Sequence, residues 1–247
     1  MNAPFRSTPS LSASDTPGGS GVANTYYRLD GALEATGTIV TVSTYGDHTL
    51  EFWSVDVAAN EETPHTTEHF AVTDNTPPST ASDAQFVYLN TATITLTAAD
   101  AGGSGVADVY YSLDGSAAAT GTVVTVPTAG IHTLVFWSVD GAGNVETPPN
   151  TVIFSVMDTI APTTTSDVQP SYDGTATITL TATDTSGGSG VADTYYVVDG
   201  GAEATGTVVT VSAVGDHTLE FWSIDFADNI ETAGEPAAFT VLAPPTP

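Results

Sequence analysis

The chain has 247 residues, with 29 acidic side chains against two basic ones, Arg6 and Arg28, a formal net charge of −27, and neither lysine nor cysteine. Nucleic acid and anionic lipid surfaces are excluded as partners, because both are held through clustered Lys and Arg. Disulfides, thiolate metal sites, cysteine catalysis and Lys-to-Asn cross-links are excluded with them. Such an acidic surface favours divalent counter-ions or a salty medium that screens its self-repulsion. A 40% hydrophobic content with regularly placed Val, Ile, Leu and aromatic residues argues against disorder. No apolar run approaches the roughly 18 residues of a membrane span, so membrane insertion is not expected. Residues 1–10 show no charged-then-apolar leader pattern. The expected location is extracellular or at the cell surface, with the chain a mature segment or an excerpt of a longer array.

In chain order, the first ten residues match the later repeats poorly. From Leu11 onward the chain repeats with a period of roughly 85 residues, the size of a small domain. Leu11, Leu96 and Leu180 are equivalent, as are Asp15, Asp100 and Asp184. In the second and third copies the leucine lies in Thr91-Ala-Thr-Ile-Thr-Leu-Thr97 and Thr175-Ala-Thr-Ile-Thr-Leu-Thr181, alternations that predict a strand. Ahead of it stand Pro-rich lead-ins, Thr76-Pro-Pro-Ser-Thr80 and Ile160-Ala-Pro-Thr-Thr164, which predict a linker and a first edge strand. The first copy has no equivalent of either.

Next comes a glycine loop, Gly18-Gly-Ser-Gly-Val22, with copies at 102–106 and 187–191. Its spacing fits no phosphate-binding fingerprint, and it predicts a tight turn. A strand ending in Asp-Gly follows at Tyr26-Tyr-Arg-Leu-Asp30, Tyr110-Tyr-Ser-Leu-Asp114 and Tyr195-Tyr-Val-Val-Asp199. One further β-branched strand is predicted in each copy, beginning at Thr36, Thr120 and Thr205.

The strongest repeat is His48-Thr-Leu-Glu-Phe-Trp-Ser-Val-Asp56, with copies starting at His132 and His217. Alternation sets Leu50, Phe52 and Ser54 on one face and Glu51, Trp53 and Val55 on the other, as in a central strand with one face in a core. A last strand is predicted around Phe70, Phe154 and Phe239. Six or seven short strands per copy, without helical periodicity, predict an all-β chain: a tandem array of three immunoglobulin-like β-sandwich domains, the first lacking its N-terminal strand. The expected boundaries are 1–73, 74–157 and 158–247.

The combination of Gly-Gly-Ser-Gly-Val, Tyr-Tyr-x-Leu-Asp-Gly and Ser138-Val-Asp-x-Ala-Gly-Asn-x-Glu146 resembles the Ig-like repeats of large bacterial and archaeal secreted and cell-surface proteins. The resemblance spans nearly the whole chain. It implies an extracellular scaffold role, and such repeats occur beside enzymes, adhesins and surface-layer proteins alike.

The candidate site is acidic. Strands B and F of such a sandwich end at one pole, which places Asp15 near Asp56 and Asn60, Asp100 near Asp140 and Asn144, and Asp184 near Asp225 and Asn229. Glu62, Glu146 and Glu231 are expected around the same turn. Linker residues Asp74 and Asp158 enter at that pole. Hard oxygen ligands without His or Cys suit Ca²⁺, which would stiffen the joint. The alternative, compatible with it, is that each Asp-to-Asn stretch is a hydrogen-bonded turn capped by the Asp side chain.

Trp53, Trp137 and Trp222 face away from the core opposite the paired tyrosines. They are either a carbohydrate-binding row or cross-strand packing that steadies the sheet. His48, His132 and His217 recur at strand starts and read as structure. His65 and His69 stand too far apart on a strand to share a metal. Threefold repetition of every candidate argues against an enzyme. The expected function is a non-catalytic structural subunit that self-associates head to tail into a fibre or layer, its missing strand supplied by another chain. The C-terminal Ala243-Pro-Pro-Thr-Pro247 offers no spare strand, so either residues 1–6 of a neighbour supply the donor segment or the chain is cut from a longer array. The alternative is a spacer, carbohydrate-binding or adhesion module of a larger secreted protein.

Overall fold

A computed structural model describes residues 7–244. The described residues are strands and loops without α-helix, so no helix is long and apolar enough to cross a membrane. The first repeat contains β1 (Val22–Leu29), β2 (Ala35–Thr36), β3 (Gly46–Asp56) and β4 (Thr66–Val72). The second contains β5 (Ser79–Ser82), β6 (Val87–Leu89), β7 (Ala92–Ala99) and β8 (Val106–Leu113), then β9 (Ala119–Thr120), β10 (Val123–Val126), β11 (Gly130–Asp140) and β12 (Asn150–Met157). The third repeats that order as β13 (Thr163–Ser166), β14 (Ser171–Asp173), β15 (Ala176–Thr183) and β16 (Val191–Val198), then β17 (Ala204–Thr205), β18 (Val208–Val211), β19 (Gly215–Asp225) and β20 (Ala237–Leu242).

Each complete repeat is a two-layer immunoglobulin-like sandwich. In the second, a three-stranded sheet β10-β7-β5 faces a five-stranded sheet β6-β12-β11-β8-β9. The third pairs β13-β15-β18 with β14-β20-β19-β16-β17. Ladders are antiparallel except β6 with β12 and β14 with β20, where the first strand, having switched sheets, runs parallel to the last. The core lies between the layers. Ala92, Ile94 and Leu96 from β7 meet Leu134 and Phe136 from β11 and Phe154 from β12, all fully buried because alternation puts them on the inner faces.

Two strands differ from the sequence reading. The single strand expected from Thr36, Thr120 and Thr205 is two strands in two sheets: Ala119–Thr120 pairs with β8, while Val123–Val126 pairs with β7. The crossing is at Gly121, with φ of 153°, where a side chain would be strained. The first edge strand is also only half of the N-terminal arm. After Ser82 the chain continues into β6, which carries Tyr88 edge-on to Phe154.

The first repeat has one complete sheet, β2-β1-β3-β4. Opposite it, Ser7 and Ser10 form isolated bridges to Val42 and Ile39, in the register that Ala92 and Thr95 of β7 keep with Val126 and Val123. Pro9 stands where Ile94 and Ile178 stand in the other repeats. It accepts a hydrogen bond from Val40 N–H through its carbonyl but has no N–H to return. Leu11, Val40, Val42, Leu50 and Val72 still form a core. Among the described residues, no strand of this repeat corresponds to β5 or β6. Residues 1–6, expected to supply a donor strand, lie outside the described residues.

Candidate functional site

The pole of each sandwich is organised by one aspartate at the end of the central strand. Asp140 accepts hydrogen bonds from the amides of Ala142 (3.0 Å) and Asn144 (2.8 Å), and from Asn144 Nδ2 at 2.7 Å. Asp225 with Asn229 and Asp56 with Asn60 repeat that geometry. The Asx-capped turn is therefore present in all three copies.

The glycine loop supplies the second aspartate. Asp100 caps the amides of Gly102 and Gly105, each at 2.7 Å, Asp184 those of Thr185 and Gly190, and Asp15 those of Thr16 and Gly21. The third comes from the linker. Asp74, only 4% exposed, accepts from Thr76 N–H (2.9 Å), Ser104 N–H (3.1 Å) and Ser104 Oγ (2.6 Å), and its carbonyl accepts from Asn144 Nδ2 at 3.1 Å. Asp158 accepts from Ile160 and Ser189 amides, and Asn229 Nδ2 reaches its carbonyl. Burial pushes Asp74 and Asp158 up, but these donors outweigh it and hold both below the usual carboxylate range.

Asp74, Asp100 and Asp140 thus present carboxylate oxygens within 4.8 Å of one another, as do Asp158, Asp184 and Asp225. The approach is close enough that a Cβ on Gly102 would collide with the Asp74 carboxylate and displace it. Three hard oxygens with no nitrogen or sulfur suit Ca²⁺ among the biological cations. In the first repeat Asp15, Asp56 and Asn60 hold their places.

The glutamates do not join these clusters. Glu146 turns to the edge strand: it accepts from Thr80 N–H (2.9 Å) and Thr80 Oγ1 (2.7 Å), from Ser138 N–H (3.1 Å) and from Asn150 Nδ2 (2.8 Å). Burial pushes Glu146 up, and these bonds overcome it and keep the carboxyl below its ordinary range. Glu231 clamps Thr164 and Ser223 in the same way. Ser138 and Ser223, fully buried, hydrogen-bond the same threonines. Sequence reading missed this clamp because its partners are 66 residues apart in the chain.

In the first repeat Glu62 keeps only the bond from Ser54 N–H, at 3.1 Å. Beside it runs an open cleft of 420 Å³ between Ser12, Ala13, Ser14 and Asp15 on one wall and Ser54, Asp56, Asn60 and Glu62 on the other. Those walls correspond to the groove that β5 fills in the second repeat, where Thr80 pairs with Ala98 and Ser82 with Leu96.

The recurring histidines are structural ties. His48 Nδ1 meets Asp30 at 2.8 Å, His132 meets Asp114 at 2.8 Å and His217 meets Asp199 at 2.7 Å. The tryptophans lie on the outer face, stacked on Tyr26, Tyr110 and Tyr195. Trp53 departs from the expected exposure. His65 stacks on it at 4.1 Å and Arg28 covers it at 5.0 Å, leaving it 3% exposed. His69 hydrogen-bonds Thr49 and is not paired with His65.

No family model matches the sequence, and no curated protein matches it. Among solved structures, the fibronectin(III)-like modules of Clostridium thermocellum CbhA align with 67% of this chain and 95% of theirs, at 18% identity and a TM-score of 0.30. A bacterial ice-binding adhesin of 1.5 MDa, solved for its host cell surface retention, aligns over 91% of this chain and 89% of its own, at 17% identity and a TM-score of 0.26. The human Desmocollin-1 ectodomain covers 100% of this chain with 59% of its length, at 11% identity and a TM-score of 0.33. Likeness at this level extends to no shared role.

Proposed function

We propose that the chain is a non-catalytic extracellular structural module of the bacterial or archaeal surface-repeat class, joined head to tail with others of its kind into a fibre or layer by strand complementation. The observation that carries this reading is the cleft of the first repeat, along which no strand corresponding to β5 lies among the described residues. Its walls retain the glutamate and serine that grip β5 and β13 elsewhere, and the asparagine that holds the linker ahead of them. A heterologous contact that does not close on itself extends into a filament. In the same reading, Ca²⁺ sits at the Asp74 and Asp158 clusters, offsetting carboxylate repulsion and stiffening the entry to each sandwich. Electron microscopy of the native material in calcium and in chelator tests it. Filaments with a three-sandwich repeat that fall apart in chelator are expected, whereas isolated three-bead rods in both conditions would remove the assembly reading.

A second reading, a spacer, carbohydrate-binding or adhesion module of a larger secreted protein, draws on the half-buried Tyr110–Trp137 and Tyr195–Trp222 stacks. Retardation in polysaccharide-containing gels, lost in Trp137→Ala, would support it.

A further inference from the structure

The outer face of the first sandwich carries its own cation. Arg28 lies over the Trp53 ring with Cζ 5.0 Å from the centroid, while Nη2 reaches Glu34 and Nη1 reaches Glu51, each at 3.4 Å. One aromatic face and two carboxylates thus hold a single guanidinium, which gains from the ring quadrupole and from opposite charge at once. Tyr26 stacks against the same indole, and His65 closes over it at 4.1 Å.

The other two sandwiches vary that set in different ways. In the second, Ser112, Ala118 and Val135 stand where Arg28, Glu34 and Glu51 stand, so the cation and both acids are gone together. In the third, the cation alone is gone. Val197 takes the place of Arg28 and pairs with Glu220 as Arg28 pairs with Glu51. Glu203 and Glu220 keep the two acids, and Tyr195 stays stacked on Trp222 at 5.9 Å. Gly234 follows Glu231 by three residues, as His65 follows Glu62, and a Cβ on it would meet nothing within 4 Å. Trp222 is accordingly half-buried where Trp53 is covered. Among the described residues, no cation pairs with Glu203 or Glu220. At the turn beyond, exposed Phe226 and Ile230 replace Val57 and Glu61.

We infer that the third sandwich binds an arginine side chain of another protein over Trp222, with Glu203 and Glu220 as its acceptors, in the position that Arg28 fills internally in the first. Arginine fits better than lysine, because a planar guanidinium stacks on the indole and still donates to two carboxylates. A net charge of −27 draws a basic partner towards this face. An apolar residue two places along an extended partner lies on the same side as the arginine, one pleat step on, where Phe226 and Ile230 are exposed. A neutral sugar would use the ring without the glutamates, which the second repeat lacks beside the same Trp–Tyr stack. Neither the filament reading nor the carbohydrate reading requires this site.

The test follows the indole N–H signals of the full 247-residue chain by NMR, assigned with Trp→Phe variants, during titration at low salt with an end-blocked Gly-Arg-Gly-Leu-Gly peptide. The Trp222 signal is expected to move saturably while those of Trp53 and Trp137 stay. The same peptide with citrulline, the neutral isostere, in place of arginine leaves all three unmoved. Glu203→Gln combined with Glu220→Gln weakens binding about fivefold, the sum of two exposed charge pairs. Val197→Arg rebuilds the internal cation of the first repeat, so it shifts Trp222 without peptide and abolishes the response to it. No movement of Trp222, equal movement of Trp137, or an affinity unchanged by the glutamate pair overturns the inference, the last two as diffuse attraction to net charge. Movement of Trp222 by cellohexaose and not by the peptide overturns it in favour of a carbohydrate. A Trp222 shift that grows with protein concentration alone and vanishes in Arg6→Gln overturns the assigned occupant in favour of a second copy.

Discussion

Glu62, Glu146 and Glu231 occupy one position of the repeat with unequal partners, and that inequality is measurable. Glu146→Ala strips acceptors from Thr80, Ser138 and Asn150 at a half-buried site and is expected to cost about 1–3 kcal/mol in urea denaturation. Glu62→Ala removes one exposed bond and is expected to stay within about 0.5 kcal/mol. The His–Asp ties give a pH signature. The Asp30 and Asp199 carboxylates are held low by backbone amides and imidazole, and His48 and His217 are held high by their aspartates. For His132, burial pushes down, but Asp114 and the Thr128 carbonyl win. A raised imidazole contributes stability below its unfolded value of 6.5 that fades as pH rises through the folded one. A lowered carboxylate contributes above 3.8 and fades as pH falls through its folded value. The ties therefore stabilise most between those values, and thermal unfolding scanned over pH should show a maximum on the acid side of neutrality that flattens in a triple His→Gln variant. The histidines were legible as structural because they recur. Their aspartate partners were read only as turn residues, since a contact across neighbouring strands leaves no local period.

At the scale of strands, the outcome follows the strength of the repeating pattern. The His-to-Asp strand, with Leu and Phe inward and Trp outward, was readable from alternation and became β3, β11 and β19. The crossing at Gly121 was not, because Thr-Gly-Thr-Val-Val-Thr-Val keeps β-branched residues on both sides of the break, and only the positive φ separates the sheets. The parallel arm at β6 was missed because Val87–Leu89 is too short to alternate. Pro9 is the converse case, a residue that weakens a strand the fold still forms. Pro9→Ile would restore the ladder N–H and an inward aliphatic side chain matching Ile94 and Ile178, and is expected to raise the first repeat's stability by about 1–2 kcal/mol, seen as a higher unfolding midpoint.

For the whole molecule, charge sets the terms. With a net charge of −27, added salt should raise the unfolding temperature, and Ca²⁺ should do so at concentrations too low for screening if it binds the Asp clusters. The acidic pole was legible from spacing, including the arrival of Asp74 and Asp158. The division of labour between those aspartates and the glutamates was not, since it depends on which face of the turn each carboxylate leaves. The parallel pairing of β6 with β12 has one more consequence. β6 follows the short edge strand β5 where the chain enters the second sandwich and β12 is the last strand before it leaves, and Val87, Tyr88 and Leu89 face Ser155, Val156 and Met157. Tension along the array pulls them in opposite directions, so their hydrogen bonds are loaded together in shear and do not open one by one. The third repeat has the same clasp in β14 and β20, whereas the described residues of the first have none. Under stretching in an optical trap the first sandwich should yield at low force, and the other two should hold until much higher loads.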